Sequence, residues 1–213
     1  MTFLPDASTM VAFSIACFVL FITPGPDMSL FLSRTIAGGR RFGVASAIGA
    51  NVGCVVHTTL AALGVSALIA ASATAFTVLK VVGAGYLLWL AFDAIRNGSA
   101  LTVREGARVD PSVWRSFVMG VGVNLTNPKI ILFFVTFLPQ FVDAHDPHAS
   151  QKLLFLGLFF VLTNIPLTIL MILGAERLVS ALKRRPSVLR AIDYVFAGVF
   201  GVFAARILMT QTR

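Results

Sequence analysis

Six runs of roughly twenty apolar residues, separated by short segments that hold most of the charge, fix what this chain can become. They cover about 10 to 32, 43 to 70, 74 to 95, 116 to 138, 152 to 175 and 190 to 209. A helix of that length crosses a hydrocarbon core about 30 Å thick. The sequence therefore predicts an all-α integral membrane protein with six transmembrane helices. Only 12% of the 213 residues are charged, against about a quarter in soluble domains, and six spans leave no length for a soluble domain. With Asp6 and no Lys or Arg before Arg34, the start lacks the basic segment of a cleaved signal peptide, so the first span is expected to be retained.

The formal charge of +8 is distributed by topology. After spans one, three and five come Arg34, Arg40 and Arg41, then Arg96, Arg104, Arg108 and Arg115, then Arg177, Lys183, Arg184, Arg185 and Arg190. The opposite side holds Lys152, Arg206 and Arg213. Basic loops stay cytoplasmic, which predicts that both termini face outward. No basic face remains for nucleic acid. The polar stretch around 97 to 115 reads as a cytoplasmic linker between a first half, about 8 to 96, and a second, about 116 to 210. Glu176 to Arg190, with Leu178, Val179 and Leu182 beside basic residues, reads as ordinary anchoring or as a segment lying on an anionic leaflet.

One span contradicts its own pattern. Thr23-Pro24-Gly25-Pro26-Asp27 sets two helix breakers and a carboxylate inside span one, where a charge costs a few kcal/mol or more unless compensated. Span four repeats the theme as Thr126-Asn127-Pro128-Lys129, with Asn124 one turn earlier. Roughly 21 Å and 18 Å of helix precede the two breaks, which puts both near the midplane. Three spans per half would make the halves inverted-topology repeats, and interrupted helices at matching positions mark a carrier's binding site. Thr23 and Asn127 are expected to cap new half-helices with Pro24 and Pro128 in their first turns, offering positive dipole ends to a carboxylate. Asp27 suits an ammonium group and Lys129 an anion. Both signs together suit a free amino acid. The plainer reading is that the prolines kink helices for packing and the two charges pair only with each other.

The remaining polar residues within spans have dual readings. His57 is a candidate proton carrier or an interhelical hydrogen bonder. Lys80 snorkels toward the outer end of span three. Asn51 and Asn124 suit interhelical hydrogen bonds, and Asn164-Ile165-Pro166 marks a milder break in span five. Gly49-x-x-x-Gly53 and Gly83-Ala84-Gly85 give smooth faces for close helix packing inside the bundle and, secondarily, for a homodimer. Tyr86, Trp89 and Trp114 suit interfacial anchoring. Cys17 and Cys54 are expected to be free thiols.

No hydrolase, haem or nucleotide-binding motif is present, so an enzyme is not expected and no cofactor is implied. A metal-ion exporter would want more ligands than Asp27, Cys17, Cys54 and His57. A non-transporting scaffold would need no matched breaks.

The motifs just named resemble the lysine exporter and homoserine/threonine exporter (LysE/RhtB) family. The resemblance runs through Thr23-Pro24-Gly25-Pro26-Asp27, Gly38-Gly39-Arg40-Arg41-Phe42-Gly43, Gly49 to His57, Leu79 to Leu87, Asn124 to Lys129 and Phe137-Leu138-Pro139-Gln140-Phe141. It implies an inner-membrane secondary transporter that exports amino acids at the expense of the proton gradient. The family's signature residues fall on Pro24-Gly25-Pro26-Asp27 and Asn127-Pro128-Lys129, and His57 and Lys80 match common family positions; together with the reading above, the substrate-binding candidates are Thr23, Pro24, Gly25, Pro26, Asp27, Asn124, Asn127, Pro128 and Lys129, the proton-coupling candidates Asp27, His57 and Lys80, and no metal is expected. An intramembrane Lys129 points away from cationic substrates and toward threonine, homoserine or leucine.

Overall fold

The computed structural model describes residues 4–98, 112–143 and 146–211. The central part of the expected linker, with Arg104 and Arg108, lies outside the described residues, as does Arg213. Among the described residues the secondary structure is entirely helical: α1 (Ala7–Ile22), α2 (Pro26–Gly38), α3 (Arg40–Ala71), α4 (Ala73–Asn97), α5 (Val113–Thr126), α6 (Pro128–Leu132), α7 (Ala149–Leu173), α8 (Ala175–Arg184) and α9 (Pro186–Gln211). Four helices, α3, α4, α7 and α9, are each long and apolar enough to cross a membrane. The pairs α1/α2 and α5/α6 are bent by 51° and 53° and bring the count to six if each pair is one span.

Proline sets both bends. A residue before proline is pushed out of the helical region, and Thr23, Gly25 and Asn127 are all extended. Thr23 ends α1: its N–H and its Oγ1 both donate to the Val19 carbonyl, at 3.2 and 2.7 Å. The expected role of Thr23 as cap of the next half-helix is therefore corrected. Gly25 is the N-cap of α2 and Pro26, not Pro24, its first residue. At the second break the expectation holds, since the Asn127 side chain accepts from the Lys129 N–H at 3.1 Å and Pro128 begins α6. Beyond α6 the half-helix continues as a π turn, Phe133–Phe137, and a 3₁₀ turn, Leu138–Phe141. Pro166 produces no break, and α7 runs through it.

Close packing follows small residues. A Cβ on Gly49 would lie 2.0 Å from the Phe117 carbonyl oxygen, and one on Gly120 2.0 Å from that of Ser46. Hence α3 and α5 touch backbone to backbone, a contact that glycine permits and alanine does not. Gly83 meets Thr136 in the same way, whereas Gly85 faces open space. Around the π turn the core is aromatic: Phe13, Phe133, Phe134, Phe137, Phe160 and Phe200 are buried, with ring centroids such as Phe133–Phe160 at 4.9 Å and Phe137–Phe200 at 5.0 Å. Outward-facing Val11, Ile15, Leu60, Leu63, Phe92, Leu162 and Val202 are exposed, an apolar surface suited to lipid rather than water.

The arginine-rich segments meet at one end. Arg40 donates to the Leu173 carbonyl at 3.3 Å, and Arg190 to that of Ile95 at 2.8 Å. There α8 turns Ala175 and Val179 onto Met28, Phe31, Leu32 and Ile172. Its apolar face is covered by the bundle, which leaves ordinary anchoring, and not a place on a leaflet, as the reading of this segment.

Candidate functional site

The two bends approach each other through their charged first-turn residues. Lys129 Nζ donates to the Thr23 carbonyl at 2.7 Å and to that of Leu20 at 3.3 Å, so the lysine that follows the second break holds the final carbonyls of α1. A cation there complements the negative end of the helix and satisfies carbonyls that α1 cannot. Gly25 makes room for it, since a Cβ would lie 3.1 Å from Nζ. In return Asp27, in the first turn of α2, accepts from Asn124 Nδ2 at 2.9 Å, near the end of α5. Each break thus reaches into the helix that ends at the other.

Asp27 and Lys129 form no direct ion pair among the described residues; they face one cavity instead. The cavity has about 50 Å³ of water-accessible space and is walled also by Asn51, Cys54, Phe21, Phe160 and Asn164. Two oxygens in this wall, Asp27 Oδ1 and Asn51 Oδ1, are buried with no hydrogen-bond partner at normal distance, and Asn127 Nδ2, likewise buried and unbonded, lies beside the Asp27 carboxylate. Unpaired polar atoms in an interior are expensive unless something else binds them. The ammonium of Lys129 carries three protons, of which two are engaged. The wall therefore offers acceptors at one side and a cation at another.

Asn124 is the hub. It is 1% exposed, its side chain meets both Asp27 and the Cys54 thiol (3.4 Å), and its carbonyl lies 3.4 Å from His57 Nε2. Gly53 lets it sit there, for a Cβ would come within 2.5 Å of Asn124 Oδ1. A profile of the LysE type translocator family matches residues 18–211. The chain belongs to that family. LysE-type translocators are membrane transporters, and the apolar helices described above make this one a multi-pass membrane protein. A Vibrio cholerae serotype O1 chain called an uncharacterized membrane protein is 30% identical over 200 residues, 92% of this chain and 94% of its own. Homoserine/homoserine lactone efflux proteins of Salmonella typhimurium and Salmonella typhi are each 30% identical, over 194 and 198 residues, 91% of this chain and 93% of theirs. No solved structure matches.

Within this LysE-type chain the candidate residues separate by place. Asp27, Lys129, Asn124 and Thr23 line the cavity, while Gly25, Pro26, Asn127 and Pro128 shape the bends that carry them. His57 is one step behind, buried, stacked on Phe134 at 5.7 Å and touching Asn124 rather than the cavity. Lys80 is elsewhere: its Nζ donates to the Val142 carbonyl at 3.1 Å and lies 4.8 Å from the Phe76 ring centroid. Asn51, Cys54 and Asn164 line the cavity as well. Asn51 and Cys54 lie three residues apart on α3 and so share a helix face, which was the available signal.

Proposed function

We propose that this chain exports neutral amino acids, of the homoserine and threonine type, across the inner membrane in exchange for protons. The observation that carries the reading is the shared cavity, with the buried, unbonded Asp27 Oδ1 in its wall and the Lys129 ammonium facing it. A zwitterion satisfies both: its ammonium takes Asp27 and Asn51, and its carboxylate takes the third proton of Lys129. The two Salmonella relatives, named as homoserine/homoserine lactone efflux proteins, agree in substrate class.

Exchange follows from competition. The Asp27 carboxylate holds either the substrate ammonium or a proton, so a proton arriving from outside displaces the amino acid there, and loss of the proton inside restores the site. His57, touching the backbone carbonyl of the residue whose side chain holds Asp27, is proposed to act on proton coupling through Asn124 rather than by carrying the proton to Asp27 itself. The cavity has room for a few waters, at about 10–15 Å³ each, which is less than an amino acid requires. Loading therefore needs the helices to separate, and we take the two halves, 8–96 and 116–210, to be inverted repeats that rock about the bends. The arginine-rich end is then cytoplasmic and both termini are outside; a homodimer is compatible with the exposed apolar faces.

Uptake into inside-out vesicles across an amino-acid panel tests the reading. Neutral amino acids should accumulate when the lumen is acidic and not when the gradient is collapsed. Movement of lysine and arginine alone would overturn the substrate class, and uptake indifferent to the gradient would overturn antiport.

A further inference from the structure

A second cavity adjoins the first. It has about 60 Å³ of water-accessible space between a face of α1 bearing Ser14, Cys17 and Phe18 and a face of α7 bearing Phe159, Thr163 and Leu167. Phe21, Phe160 and Asn164 belong to the walls of both cavities. These three side chains are therefore the partition between them.

The partition lies along a continuous track. On α7 the wall positions Phe160, Asn164, Leu167 and Met171 recur at three and four residues, which is one helix face. Met171, in the first cavity, is near the arginine-rich end where Arg40 meets Leu173. On α1 the second cavity is walled by Ser14 to Phe21, nearer the helix start at Ala7, and the first by Leu20 to Thr23, at the bend. Two cavities in series along one face, with a thin wall between, describe a path rather than two pockets.

The chemistry of the wall suits a small zwitterion. Phe160 is 3% exposed and locked against Phe133 and Phe134, at 4.9 and 5.6 Å between centroids, so it is a fixed jaw. Phe21 is half-buried on the last turn of α1, beside the bend, so any flexing of the bend would carry it. Between them Asn164 accepts from Thr168 Oγ1 at 3.4 Å, while its Nδ2 donates to no group among the described residues. Asn164 is half-buried, so this carboxamide donor stays available to a passing carboxylate.

We propose that the two cavities are successive stations of one substrate path between α1 and α7, with Phe21 and Phe160 limiting side-chain size and Asn164 binding the substrate carboxylate at the crossing. This rests on the exporter reading and adds to it a route and a selectivity element outside the Asp27–Lys129 cavity.

The two free cysteines report on the path, because Cys54 lines the first cavity and Cys17 the second. In reconstituted Cys17→Ala and Cys54→Ala proteins, a charged, membrane-impermeant methanethiosulfonate is applied to one face at a time. Cys54 should react from the arginine-rich face and Cys17 from the opposite face, and adding Phe21→Ala should speed labelling from the far face at least tenfold. Reaction of Cys17 only with a lipid-soluble maleimide would make the second cavity a lipid-filled crevice and overturn the path, as would labelling of both thiols from one face alone. Labelling needs no substrate, so these outcomes stand apart from the exporter reading, which fails instead if the unsubstituted protein moves no amino acid. In transport, Asn164→Ala should raise KM at least fivefold and Phe21→Ala should admit larger side chains; unchanged KM and substrate range would remove both residues from the path.

Discussion

Asp27 has one carboxylate oxygen held by Asn124 and another, buried, with no hydrogen bond at normal distance, while Lys129 spends two of its protons on the carbonyls that end α1. The two charges are thus parts of the bends as well as of the cavity, and substitutions should separate the roles. Lys129→Met leaves the Thr23 and Leu20 carbonyls without their donor, and a buried group left unpaired costs about 1–3 kcal/mol; a lowered melting temperature of the purified protein should accompany the loss of transport. Gly25→Ala brings a Cβ within 3.1 Å of Lys129 Nζ, the flexible end of a long side chain. The lysine should shift rather than the fold, so KM is expected to rise several-fold with the melting temperature nearly unchanged. At this scale the sequence was informative about which residues matter and less so about what each does. Breakers and charges inside an apolar run are conspicuous. That Thr23 closes α1 instead of opening α2 depends on which of two prolines starts the helix, and both fit the residue pattern.

Among the elements, α3 and α5 meet backbone to backbone, and glycines decide it. Gly120→Ala would drive a Cβ to 2.0 Å from the Ser46 carbonyl oxygen, and backbone cannot step aside as a side-chain tip can. Overpacking of this kind costs about 1–3 kcal/mol, so thermal unfolding should begin several degrees lower, whereas Gly122→Ala, with nothing within 4 Å, should leave it in place. The smooth face of α3 was legible because Gly49 and Gly53 share a helix side. The same rule misjudged Gly85, which faces open space, and the break expected from Asn164-Ile165-Pro166 does not form, because α7 accommodates Pro166 without ending. The π turn at Phe133–Phe137 left no trace in the sequence, since an all-apolar run has no period to betray a change in helix type.

For the whole molecule, apolar run length and basic loops sufficed to foresee an all-helical membrane protein, with its arginine-rich segments at one end. They could not foresee that the apolar face of α8 packs on α2, because amphipathicity looks the same whether lipid or protein covers it. Packing on α2 links the arginine-rich end to the helix that carries Asp27. His57 touches the hub of the site from behind, so His57→Gln should leave the protein folded and transport measurable while reducing its acceleration by a pH gradient at least threefold; equal acceleration would remove His57 from coupling. The most direct test compares the unsubstituted protein with Asp27→Asn in proteoliposomes, reading gradient-driven homoserine and threonine transport beside melting temperature. The expected result is loss of transport by at least a hundredfold in a variant that remains inserted and folded. Full transport by Asp27→Asn would contradict a site built from the two paired helix breaks.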